Sequence, residues 1–239
     1  MNIKNEKLKQ FIYLLSGFGI FFLYFKIIPG IFKLFYNNST THGKIYNNLF
    51  LSAMEITVFG ILFFIFKKTI INDLKKFKKD YKKNLDVGFK YYFVGMLVMI
   101  TSNLILMFIT GGIAENEAVN REYLKMYPLY SIIAMVFLGP PIEEIVFRLG
   151  FRKAFKKWLP YAIFSGLFFG GLHAFTAFEG MTLHEALKNW VNILYTIPYG
   201  ALGFAFAKVY YETDNICTSS LIHIIHNGFT VLLILFAMR

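Results

Sequence analysis

A single cysteine, Cys217, is all the thiol chemistry this chain has, which excludes an internal disulfide and any cysteine-built metal cage. Charge is nearly as scarce: only 16% of the 239 residues are Asp, Glu, Lys or Arg, against about 25% in an ordinary soluble domain. Acidic residues are rarer still, 14 against 25 basic ones, giving a formal net charge of +11. No internal repeat, low-complexity tract or second domain is visible. The shortage of charge leaves long uninterrupted apolar runs, and these exclude a soluble globular class.

The chain is instead rich in hydrophobic residues (56%), with 29 Phe and 15 Tyr. Measured against the ~20 residues that a spanning helix needs, the apolar blocks fall at about 11–29, 49–66, 91–113, 129–151, 158–175, 190–211 and 219–238. The expected fold class is all-α, a polytopic transmembrane helix bundle of about seven spans. It divides into a three-span region (1–128) and a four-span region (129–239) within one integrated membrane domain. The basic stretch "MNIKNEKLKQ" imitates the start of a signal peptide, but the apolar core behind it is too long and lacks a small-x-small cleavage site. The first span is therefore expected to be retained.

The basic residues report topology. They gather at Lys4, Lys7 and Lys9, along the link from Lys67 to Lys83, and at Arg152, Lys153, Lys156 and Lys157. The alternate links are acidic or near neutral, with Glu115, Glu117 and Glu122 in one and Glu179 and Glu185 in another. The positive-inside bias places the N-terminus and every basic link in the cytoplasm. Ile70, Leu74, Phe77 and Tyr81 recur at helical spacing among the lysines, which suits an amphipathic helix lying on an anionic cytoplasmic leaflet. No nucleic-acid recognition motif accompanies the lysines, so a nucleic-acid partner is not expected.

Three polar groups interrupt the spans, and an ionisable side chain at membrane depth marks function by default. The first is "GPPIEEIVFRLGF". Proline cannot continue a helix but suits its first turn, so a helix restarting at Pro141 would carry Glu143 and Glu144 at its positive end. Glu144 and Arg148, four apart, share a face, so Arg148 neutralises Glu144. Glu143 points about 100° away and is left for chemistry. The bland alternative is a structural ion pair plus one protonated glutamate in a bundle seam.

The second group is "GLFFGGLHAF". Gly166, Gly170 and Gly171 offer a face for close helix approach, and His173 follows. Spans four and five form a hairpin turning near residue 158, the midpoint of 143 and 173, so Glu143 and His173 are level. The third is "SSLIHIIHNGF". His223 and Asn227 are four apart and share a face, while His226 lies on another stripe. A metal-binding His223–His226 pair is the weaker pattern.

In this order on successive spans, Glu143-Glu144-x-x-x-Arg148, Phe169-x-x-x-His173 and His223-x-x-x-Asn227 resemble the CPBP intramembrane protease family. That family includes the CAAX prenyl endopeptidases and the bacterial Abi or bacteriocin-immunity-type homologues. The resemblance covers about 129–238. It implies a hydrolase in which Glu143 and His173 activate a water, His223 and Asn227 stabilise the oxyanion, and Arg148 holds Glu144. The substrate implied is a membrane-associated peptide or protein, and the location a bacterial cytoplasmic membrane. The residues alone lead to a similar place, since a carboxylate and an imidazole at one depth can share a water, and donors on a facing helix count most where water is scarce.

Other intramembrane chemistries lack their residues. "HEALK" at 184–188 is not HExxH, there is no GxGD aspartate pair, and "IFSG" lacks the leading glycine of GxSG. Glu143, His173 and His223 form a conceivable zinc set with an open position, as the metalloprotease label of the family suggests. Arg148 and Asn227 suit a metal-free glutamate mechanism better. Two other classes stay open: a non-catalytic immunity or scaffold protein, and a transporter with Glu143, Glu144 and His173 as a proton relay. One tension is visible. Glu143 lies ~21 Å from the hairpin turn at helical rise, whereas His223 comes soon after its span begins. Protrusion of the 152–157 end beyond the lipid resolves it.

Reporter fusions at Lys79 and Glu117 should fall on opposite sides of the membrane; the same side for both would overturn the span order.

Overall fold

The structure, a computed structural model, describes residues 3–35 and 44–237. Met238, the expected end of the last span, and Arg239 after it lie outside the described residues. Helices and turns account for all secondary structure among them, with no strand.

Helix α1 runs over Ile3–Phe22 and continues through a π-turn at Leu23–Ile27 into Ile28–Phe35. Helix α2 is Lys44–Lys79 and α3 is Tyr81–Thr110, closed by Gly111 at φ 70°. A short amphipathic helix, α4, covers Glu115–Met126. Helix α5 occupies 128–149 and α6 Trp158–Phe175. Helix α7, Leu183–Lys188, is a capping-box helix on the connecting loop, with Thr182 and Glu185 capping each other's backbone. Helices α8, Thr196–Thr213, and α9, Ile216–Ala237, complete the chain. The α6 boundaries match the expected fifth span residue for residue.

Among the described residues six helices are long and apolar enough to cross a membrane: α1, α2, α3, α6, α8 (with the turn before it) and α9. The chain is an integral membrane protein. The expected fourth span is not one of the six. It is present as α5, a helical run of full membrane length that carries three charges and is the most buried segment of the bundle. One end meets the start of α2, where the Tyr130 N–H donates to Asn48 Oδ1 at 3.1 Å. The other end meets α1, where Gly17 leaves room for the Phe151 ring and the Gly150 carbonyl. Helix α5 is thus enclosed by α1, α2, α6, α8 and α9.

Two expectations are corrected. The helix does not break and restart at Gly139-Pro140-Pro141. It stays helical but widens into a π-turn over Ile133–Leu138, and the Gly139 N–H reaches back to the Ala134 carbonyl. The extra residue in that turn makes room for the proline rings that would otherwise clash with the preceding turn. Glu143 and Glu144 are consequently mid-helix groups. Nor is there a separate interfacial helix over 67–83. Helix α2 runs through the lysines to Lys79, because nothing between residues 61 and 79 breaks a helix and lysine is a good helix former. Only Asp80 interrupts it before α3 begins.

That long α2 sets the depth of α9. Asp73 Oδ2 accepts the Ile216 N–H at 3.0 Å, and Asn215 Nδ2 donates to the Asp73 carbonyl at 2.7 Å. Asn215 Oδ1 in turn caps the Thr218 N–H at 3.2 Å. With its first turn pinned there, α9 carries His223 about two turns inward.

Helices α6 and α8 approach backbone to backbone through Gly166, Gly170, Gly200 and Gly203. A Cβ on Gly170 would lie 2.3 Å from the Thr196 carbonyl oxygen and 2.8 Å from the Gly200 Cα. Gly171, included in the expected small-residue face, takes no part: a Cβ there would meet nothing within 4 Å. Gly170→Val should therefore cost about 1–3 kcal/mol by overpacking, whereas Gly171→Ala should stay within about 0.5 kcal/mol. Thermal unfolding in detergent, with equal losses for both, would contradict this packing.

Candidate functional site

Arg148 and Glu144 are fully buried, with no exposed side-chain surface on either. Arg148 Nε donates to Glu144 Oε2 at 2.9 Å and Nη2 donates to Oε1 at 3.1 Å, a two-pronged pair one helical turn apart. The remaining Arg148 arm, Nη1, donates to Ser165 Oγ on α6. The Phe169 and Phe147 rings lie 5.9 and 6.0 Å from the guanidinium carbon. The expected neutralisation of Glu144 is present, and it also ties α5 to α6. Ser165 as the third partner was not legible from spacing.

Glu144 has a second partner across the bundle. His223 Nδ1 lies 3.1 Å from Glu144 Oε1, and His223 Nε2 lies 3.6 Å from Glu143 Oε2. The imidazole of α9 therefore sits between the two adjacent carboxylates of α5, with the Phe206 ring stacked on it at 4.5 Å. A carboxylate held by Arg148 can only accept, so His223 donates its Nδ1–H to Glu144 and turns Nε2 toward Glu143. Glu143 keeps 18% of its side chain accessible, the least enclosed of these charged groups. The depth tension between Glu143 and His223 is absent, since the two side chains meet at 3.6 Å. The exposed Lys156 pairs with Glu6, so the 152–157 end is level with the start of α1 and does not project beyond it.

His173 is held differently. Its Nδ1 is 2.9 Å from the Phe169 carbonyl, its ring stacks on Tyr199 at 4.9 Å, and it makes no hydrogen bond or ion pair with Glu143. A carbonyl only accepts, so Nδ1 carries the proton and Nε2 presents a lone pair. The hairpin register is the one that levels 143 with 173, since Phe147 and Phe169, with the same midpoint, have rings 5.2 Å apart. Phe169 links the two imidazoles, 4.4 Å from the His173 ring and 5.9 Å from that of His223.

Asn227 lies one turn beyond His223, and its Nδ2 donates to the Met135 carbonyl at 2.8 Å. The π-turn explains the partner. Because Gly139 bonds to Ala134 and Pro140 has no N–H, the Met135 carbonyl has no donor within its own helix, and Asn227 supplies one. One amide hydrogen of Asn227 is committed there and the second is free of that bond. His226, on its separate stripe, faces Tyr92 OH at 3.2 Å, a structural role.

One further carboxylate was missed by the sequence reading. Glu55, inside the apolar run of α2, lies within electrostatic reach of Glu143, Tyr24 and Tyr130. Its Oε2 is buried and has no hydrogen-bond partner among the described residues. The cost of an ionisable group at membrane depth was the signal that would have found it. Among the described residues no three His, Cys, Asp or Glu side chains are gathered closely enough to hold a metal ion.

Comparison with known proteins agrees with the resemblance drawn from the three motifs. Residues 125–229 match the Rce1-like family model, described as type II CAAX prenyl endopeptidase Rce1-like, and the match contains every site residue from Glu143 to Asn227. An uncharacterized protein of Mycoplasma capricolum is 29% identical over 237 residues, covering 92% of this chain and 64% of its own. The Bacillus subtilis protein named "Putative membrane peptidase YdiL" is 31% identical over 124 residues, covering 52% of this chain and 44% of its own. The chain thus spans 64% and 44% of these two relatives' lengths, less than two thirds of either. No solved structure matches.

Removing one partner of a buried ion pair strands the other, typically at a cost of 3–5 kcal/mol. Glu144→Gln should therefore lower thermal stability by about that amount. The double change Glu144→Gln with Arg148→Met should recover part of the loss. A double variant no more stable than the single one would show that the Arg148 charge is not what Glu144 answers.

Proposed function

We propose, from the premise that residues 125–229 are Rce1-like, that the protein is an intramembrane endopeptidase cutting a membrane-associated protein or peptide. The observation that carries the reading is His223 held between two adjacent glutamates, one locked by Arg148 and the other free. Glu144 is bound by its structural duty, so Glu143 is the general base.

The residues divide the reaction as follows. His173, with its Nε2 lone pair, accepts a hydrogen bond from a water and orients it. Glu143 takes a proton from that water as its oxygen bonds to the peptide carbonyl carbon. The carbonyl π pair moves to oxygen. His223 donates through Nδ1 to Glu144, and with a second proton on Nε2 it turns that N–H to the oxyanion. The second amide hydrogen of Asn227 is the other donor. On collapse the C–N bond breaks and Glu143 returns the proton to the departing amine. This sequence uses no metal. The N-terminus faces the cytoplasm in this reading, and the membrane is that of a bacterium, in keeping with the relatives from Bacillus and Mycoplasma.

A proton-coupled transporter is less well supported, because the Glu144–Arg148 pair removes one of the three groups its relay would use. A scaffold or immunity protein requires no accessible base beside a buried imidazole.

Glu143→Gln preserves size and polarity but removes the base. Membrane and secreted peptides compared between cells with wild type and with Glu143→Gln should reveal products made only by the wild type. The purified variant should cut the same substrate at least about 100-fold more slowly while unfolding at the same temperature. Full activity in Glu143→Gln would overturn the proposal. Wild-type activity should survive exhaustive chelation, and loss restored by zinc would replace the metal-free sequence.

A further inference from the structure

Away from the catalytic cluster, helices α3, α6 and α8 leave a groove of about 480 Å³ on the outer surface of the bundle. Its floor is backbone and small side chains, Gly95, Gly166 and Gly200, where α8 presses against both neighbours. Its rims are Val98, Leu167 and Ile197, all substantially exposed. All three walls belong to membrane-length helices, so the medium that fills the groove is lipid.

One end differs. Among the described residues Lys208 is the only charged one lining the groove, and its side chain is 13% exposed. Its ammonium lies 3.8 Å from the centroid of the Trp158 ring, 5.4 Å from Tyr91 and 5.8 Å from Tyr211. Lys90 also lies over the Tyr91 ring, at 5.6 Å, and Glu212 pairs with Lys208. Trp and Tyr with a lysine among them are the side chains that settle at headgroup level. This end lies beside the lysine-rich 152–157 loop, which Trp158 follows directly. Glu212 offsets one lysine and Lys90 leaves one positive charge over.

A slender apolar trough at hydrocarbon depth, closed at headgroup level by a surplus cation, has the chemistry of one molecule lying lengthwise. We propose that the groove between α3, α6 and α8 binds one acyl chain of an anionic phospholipid whose phosphate rests by Tyr91 on the joint charge of Lys208, Glu212 and Lys90. Dispersion contacts with the floor hold the chain. The surplus charge selects an anionic over a zwitterionic headgroup. The site is independent of the protease reading.

The test is native mass spectrometry of the full chain, delipidated in detergent and titrated with palmitoyl-oleoyl phosphatidylglycerol or the matching phosphatidylcholine. The wild type should retain one phosphatidylglycerol through activation energies that strip phosphatidylcholine. Val98→Trp, and separately Ile197→Trp from the opposite rim, should lower that retention about tenfold while leaving the unfolding temperature within a few degrees. Lys208→Gln should make the two lipids equivalent. Equal retention in wild type and both tryptophan variants would mean annular lipid only and would overturn the site. So would a Leu167→Cys, Cys217→Ala chain that forms disulfide dimers excluding phosphatidylglycerol, because a second copy would then occupy the groove.

Discussion

Arg148 carries its charge with no exposed side-chain surface, and the bundle is organised around answering it. Glu144 meets two of its arms and Ser165 the third, while two phenylalanine rings lie against the guanidinium. An isolated charge so placed would cost several kcal/mol. The answer fixes more than charge. Glu144 shares Oε1 between Arg148 and His223, so the same carboxylate that neutralises the guanidinium sets the tautomer and orientation of the imidazole on α9. Glu143, next in sequence, then lies at the other ring nitrogen. Adjacent glutamates with different partners follow from one of them being consumed by the ion pair.

The surrounding fold supplies depth and register to that cluster. Asp73, near the far end of an unusually long α2, holds the first turn of α9 and so determines how far inward His223 lies. The π-turn before Pro140 keeps α5 helical and leaves the Met135 carbonyl for Asn227. Phe169 separates His173 from His223, giving one imidazole a carbonyl partner and the other a carboxylate. Both partners accept from Nδ1, so Nε2 is the nitrogen left over on each ring.

The sequence made some of this legible for physical reasons. Charged residues inside apolar runs are costly enough to be informative, and Glu143, Glu144, Arg148 and His223 were found that way and lie together. Glu55 obeys the same rule and was passed over because no partner lies four residues from it. Proline at 140 and 141 suggested a break because spacing arguments assume an α-helix, and a π-turn leaves no mark in hydrophobic periodicity. The lysines after residue 66 suggested a surface segment, although lysine propagates a helix readily and α2 runs on to Lys79. Ser165 and Tyr199 were invisible, being ordinary residues whose roles come only from the helix opposite.

The dependence of His223 on Glu144 is best tested by ¹⁵N NMR of histidine-labelled protein in nanodiscs, with the His223 signals assigned by their loss in His223→Asn. Nδ1 should carry a proton at every pH at which the protein is folded, because the Arg148-bound carboxylate can only accept. Any change with pH should appear at Nε2, the nitrogen facing Glu143. A neutral His223 protonated at Nε2 with a bare Nδ1 would contradict the account, since Glu144 could not then be holding the ring.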